Sequence, residues 1–82
     1  MQPNEAIRFM RDSSGLTQRE LSEKVGRSPS WAGVVEGSNR SPSLATVALA
    51  ASACGFKLEI VDKRTGRAVG VVEPPCEEPH EG

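Results

Sequence analysis

The side chains able to do covalent or metal chemistry are few: one histidine, His80, and two cysteines, Cys54 and Cys76, in 82 residues. Cys76 and His80 are four apart, a spacing that could suit a metal, but two ligands fall short of the four a structural zinc takes. No metal site is expected. Several serines are present, yet the lone His80 lies in the C-terminal tail and offers no general base near a nucleophile. There is no Gly-x-Gly-x-x-Gly run and no phosphate-cradling loop, so no nucleotide cofactor is implied. The chain reads as a non-enzyme without cofactors.

Charge gives a stronger lead. The formal net charge is −1, which argues against a nucleic-acid binder until it is resolved along the chain. Residues 1–72 hold all ten Lys and Arg and seven acids, a net of +3; residues 73–82 hold four acids and no Lys or Arg, a net of −4. A basic body and an acidic tail need separate readings. No apolar run approaches the ~18 residues of a membrane span, and Met1-Gln2-Pro3-Asn4-Glu5 has no secretory architecture. Two cysteines make no disulfide framework, so a reducing cytoplasm is expected.

The elements that must position these groups are legible from caps and spacing. Asn4 is expected to cap a first helix running to Ser14, with Ile7 and Met10 on one face and Gly15 as its stop. Thr17-Gln18-Arg19-Glu20 is a capping box. It opens a second helix that buries Leu21 and Val25 and halts at Gly26. Ser28 is expected to cap a third helix, with Pro29 at its first position, ending near Glu36 and Gly37. About three residues then separate helices two and three. Pro42-Ser43 starts a fourth helix, with Leu44, Val47, Ala50, Ala51 and Cys54 at helical spacing and Gly55 as its end. Phe56, Leu58 and Ile60 alternate with Lys57, Glu59 and Val61, a strand pattern. Lys63-Arg64-Thr65-Gly66-Arg67 reads as a turn, and Ala68–Val72 as a second strand. The run from Glu73 is too polar and proline-rich to pack.

Two short helices joined by a tight glycine-containing turn form the supersecondary unit of many DNA readers. The residues add detail. Gly15-Leu16-Thr17-Gln18-x-Glu20-Leu21-x5-Gly26 is followed by Ser28-x-Ser30, then Glu36-x5-Pro42-Ser43-Leu44 and Ala53-Cys54-Gly55. Over about residues 5–55 this series resembles the Cro/repressor (XRE-type) helix–turn–helix family. The resemblance implies a mainly α, lambda-repressor-like domain of four to five helices over residues 1–55. It further implies that Gln18, Arg27 and Arg40 contact DNA phosphates and that Ser28–Glu36 is the recognition helix. Pro29, Ser30 and Val34 would face base edges, and Arg11 would pair with Glu36 as a partly buried ion pair. Family members often carry Gln, Asn, Arg or Lys at the base-facing positions, where they make bidentate contacts. Pro, Ser and Val give a thinner direct code, leaving shape and spacing, or Trp31 and Arg27, to add specificity. Trp31 either packs beside the loop or sets its edge against the DNA backbone.

A strand directly after the fourth helix, then a polar tail, resembles the antitoxins that partner toxin kinases of the persistence type, in which the strand pairs with its two-fold mate. That implies dimerisation through Phe56, Leu58 and Ile60 within residues 56–72, with 73–82 as a disordered acidic tail. A local hairpin is the competing model. The sequence therefore predicts a cytoplasmic homodimer, nucleoid-associated when bound, that represses transcription at a palindromic operator on double-stranded DNA. The alternative is an antitoxin that neutralises a toxin by direct binding and regulates its own operon.

Overall fold

Four helices and one antiparallel hairpin succeed each other along the chain: α1 (Pro3–Ser13), α2 (Gln18–Lys24), α3 (Trp31–Gly37), α4 (Leu44–Ala53), β1 (Leu58–Val61) and β2 (Ala68–Val72). The structure is a computed structural model, and it describes residues 1–37 and 41–74. Arg40, Cys76, His80 and most of the acidic tail lie outside the described residues.

Local caps set most boundaries. Thr17 Oγ1 accepts the Glu20 N–H at 3.0 Å, and Glu20 Oε1 accepts the Thr17 N–H at 2.9 Å. Ser43 Oγ accepts the Thr46 N–H at 3.1 Å, so α4 starts where its cap places it. Helices α1, α2 and α4 also end alike. Gly15, Gly26 and Gly55 take positive φ, and the next N–H reaches back five residues, Leu16 to Arg11 O, Arg27 to Ser22 O and Phe56 to Ala51 O.

Two helix starts differ from the sequence reading. α1 begins at Pro3 with Gln2 as its N-cap residue, and Glu5 Oε1 accepts the Gln2 N–H at 2.8 Å. Asn4 is thereby released from capping α1, and its Nδ2 donates to the Glu36 carbonyl at 3.3 Å, in the last turn of α3. Nor do Ser28 and Pro29 open α3. They belong to a turn in which the Trp31 N–H bonds Ser28 O at 3.0 Å, and Ser30 O accepts the first helical bond, from the Val34 N–H at 3.0 Å. Six residues, not three, separate α2 and α3.

The core is small and rich in alanine: Ile7, Met10, Leu21, Ala32, Val47, Ala50 and Ala51, flanked by half-buried Leu16, Val25, Trp31, Val35, Cys54 and Leu58. α1 packs on α4 and α3, and α2 on α3. Ile7 and Leu21 are fully buried, each contributing about 1.5–3 kcal/mol of transfer free energy. The expected face of α4 is corrected at its first turn. Leu44 is 61% exposed, and Ala48 is buried in its place, beside the groove between α4 and the hairpin.

β1 and β2 form a local hairpin with Leu58 opposite Val72, Glu59 opposite Val71 and Ile60 opposite Gly70. The register then steps, Val61 facing Ala68, so Val69 is an extra residue in β2. Asp62 fixes the turn: its Oδ1 accepts the Arg64 N–H at 2.8 Å and the Thr65 N–H at 3.4 Å. Gly66 takes the positive φ there. Phe56, Leu58 and Ile60 do not share one environment. Phe56 precedes the strand and packs edge-on against Phe9, ring centroids 6.4 Å apart. Leu58 packs on the core, and Ile60 is 55% exposed.

Candidate nucleic-acid interface

A helix leaves its first N–H groups without partners, and α3 is served from another helix. Ser22, in the middle of α2, accepts the Ala32 N–H on Oγ at 2.8 Å and donates the same hydroxyl to the Gln18 carbonyl at 2.8 Å. Its side chain is fully buried. One hydroxyl thus bonds the second residue of α3 to the core of α2 and fixes the angle between them. Sequence reading missed Ser22. Its signal was a small polar residue beside Leu21, on the face expected to be buried.

The far end of α3 is tied to α1. Arg11 Nε donates to Glu36 Oε2 at 2.6 Å and Nη2 to Oε1 at 3.0 Å, the two-point geometry a guanidinium makes with a carboxylate. Nη1 donates to the Leu16 carbonyl at 2.9 Å. The side chains are 12% and 4% exposed. The Arg11 pKa is raised, chiefly by the hydrogen bond to Glu36, against an opposing effect of burial. The guanidinium therefore stays charged at any ordinary pH.

The same carboxylate holds a third group. Glu36 Oε1 accepts from Gln18 Nε2 at 3.1 Å, which draws the exposed Gln18 side chain from the first residue of α2 across to α3. The structure thus brings together Arg11, Gln18 and Glu36. Arg27, Ser28, Pro29 and Ser30 are exposed in the turn ahead of α3. Val34 is 61% exposed on α3, whereas Trp31 is half-buried against the core. Arg8–Asp12 and Arg19–Glu23 are exposed pairs one helical turn apart. Such pairs are worth roughly 0.3–0.5 kcal/mol and leave the cations accessible.

Chemically this surface offers a guanidinium, hydroxyls, a neutral amide N–H and an apolar side chain at one end of a rigid helix pair. Groups of these kinds are able to donate to and pack against an acceptor-rich, anionic ligand. Among the described residues no group of three or more His, Cys, Asp or Glu side chains is arranged to hold a metal ion. Among the described residues no helix is long and apolar enough to cross a membrane.

Residues 5–62 match the family model of a helix-turn-helix domain. No curated protein and no solved structure matches the chain.

Proposed function

From the premise that the chain belongs to this helix-turn-helix domain family, we propose that it is a DNA-binding transcriptional regulator, acting as a repressor. The observation that carries this reading is the unit built by Ser22 and Glu36. α2 and α3 are locked together, with Gln18 and the turn ahead of α3, Arg27 to Ser30, left in solvent. In this reading α3 enters the major groove. Gln18, Arg27 and Arg40 contact phosphates, while Ser30 and Val34, with Ser28 and Pro29 beside them, meet base edges. Trp31 supports the turn from the core side. Titration with random duplex DNA tests it. Binding at about 50 mM salt should weaken by at least about tenfold at about 200 mM, and no binding at low salt sinks the repressor reading. Arg27→Ala should lower affinity for every sequence and reduce the salt slope by about one, whereas Ser30→Ala should change sequence preference.

The protein acts as a homodimer in this reading, on a palindromic operator with half-sites about one helical turn apart. Support comes from the hairpin. Ile60, Val61, Val69 and Val71 are 45–66% exposed, and a two-stranded hairpin is marginal without a partner. Sedimentation of the purified protein should give twice the chain mass, and a monomeric wild type refutes the dimer. The same exposed valines would suit a toxin. A monomer that forms a stable heteromeric complex through the hairpin would favour the antitoxin reading instead.

A further inference from the structure

Gly33 sits in the middle of α3 with an ordinary helical φ. Glycine is a poor choice for a helix interior, and no turn or left-handed backbone requires it here. One neighbour does. A Cβ built on Gly33 would lie 3.1 Å from Gln18 Oε1, 3.7 Å from its Cδ and 4.0 Å from its Nε2. The Gln18 carboxamide passes over the glycine with its oxygen nearest. Gly37, the other glycine of α3, has nothing within 4 Å of such an atom. The space at Gly33 is therefore matched to Gln18.

The other end of the lane is Glu36. Its carboxylate is held by two hydrogen bonds from Arg11, at 2.6 and 3.0 Å, and accepts one N–H of Gln18 at 3.1 Å. A primary amide nitrogen carries two hydrogens. With one on Glu36, the second remains for an acceptor outside the protein. A long exposed side chain that would otherwise sample several rotamers is thus held in one pose, which reduces the ordering cost of any contact it makes.

We propose that Gly33 is a positioning residue for DNA binding: by leaving room for Gln18 over α3 it sets the Gln18 amide, anchored on Glu36, to donate its free N–H to a DNA phosphate. This rests on the DNA-binding reading above and adds a residue that touches no DNA itself. Because Gln18 is neutral, its contact releases no counterion, so losing the pose lowers affinity without changing the salt slope.

A double-mutant cycle tests it. Wild type, Gly33→Ala, Gln18→Ala and the double variant are melted and titrated with one random duplex at low and raised salt. Gly33→Ala should melt within a few degrees of wild type, since alanine's better helix propensity offsets the displaced Gln18–Glu36 bond, yet bind about threefold to tenfold more weakly at unchanged salt slope. The double variant should bind no more weakly than Gln18→Ala. An equal loss in both backgrounds means that the new methyl meets DNA directly, and overturns the proposal; so does wild-type affinity in Gly33→Ala. If wild type binds no DNA, the function reading fails, and the pose is judged in the free protein. There the Gln18 side-chain amide proton signals, identified by their loss in Gln18→Ala, should move in Gly33→Ala. Unmoved signals overturn the positioning role itself.

Discussion

In the helical body an ion pair, Arg11–Glu36, is part-buried and tied at both ends, while across the groove the hairpin leaves Val61, Val69 and Val71 in solvent. The body turns Ile7, Met10, Leu21 and Val47 inward and fills the rest of its core with alanine, while Phe9, Val34 and Leu44 stay exposed. Such a core leaves little margin, and the helices are registered by polar groups instead. Among the described residues every buried side-chain nitrogen or oxygen has a partner. The hairpin has the opposite balance, with backbone pairing satisfied inside and apolar side chains without cover. The contrast teaches that the body is specified by directional side-chain bonds within the chain, whereas the hairpin rests on backbone pairing and leaves an apolar face exposed.

The largest test of that contrast is Glu36→Ala. It removes the two-point partner of the part-buried Arg11, which keeps Asp12 and the Leu16 carbonyl, and costs about 2–3 kcal/mol. At about 4–8 °C per kcal/mol for a chain of this size, the melting temperature should fall by about 8 °C or more. A drop of a few degrees would show that the pair does not register the body. Ser22→Ala comes next. It strands the Ala32 N–H in the interior for about 1–2 kcal/mol, read as a melting shift and as faster amide exchange at Ala32. Unchanged exchange there would mean that α3 does not depend on α2 for its first turn. Val61→Lys with Val71→Lys should cost the isolated fold under about 0.5 kcal/mol, as surface changes do. It should nevertheless halve the mass measured in solution. A large fall in the melting temperature of the variant at high dilution would show that the hairpin face is part of the monomer's core. The smallest effect is with pH. The raised Arg11 pKa means that its contribution is fully present below the unfolded-state pKa and is lost only as pH climbs through the still higher folded value. The melting difference between wild type and Arg11→Ala should therefore stay constant from about pH 7 to about pH 10. A shrinking difference would show that a group titrating in that range, not the guanidinium, carries the contribution.

How much was legible in the sequence follows the same division. Elements governed by neighbours in the chain were readable. Thr17 with Glu20, Ser43 with Thr46, and the glycines after α1, α2 and α4 all act within five residues. What depended on another part of the fold was not. α3 begins at Trp31 rather than Pro29 because its first turn is served by Ser22, ten residues upstream of Ala32. Asn4 has the right chemistry for a cap, but it serves the end of α3, not the start of α1. The buried side of α4 includes Ala48 and excludes Leu44, a choice that helical spacing alone does not make. At the candidate site, the resemblance paired Arg11 with Glu36 and gave Gln18 a separate role. That one carboxylate joins them, with Gly33 clearing the way, is visible only once α1, α2 and α3 are packed.

The extra residue at Val69 bears on how an assembly through this hairpin would stop. A two-stranded sheet has two open edges, and identical chains adding edge to edge can grow into a filament. β2 carries the irregular row, since two of its residues face one on β1, and such a defect terminates pairing. The regular edge belongs to β1, only four residues long. Two copies meeting there would leave their bulged strands outermost, so growth would end at a closed pair.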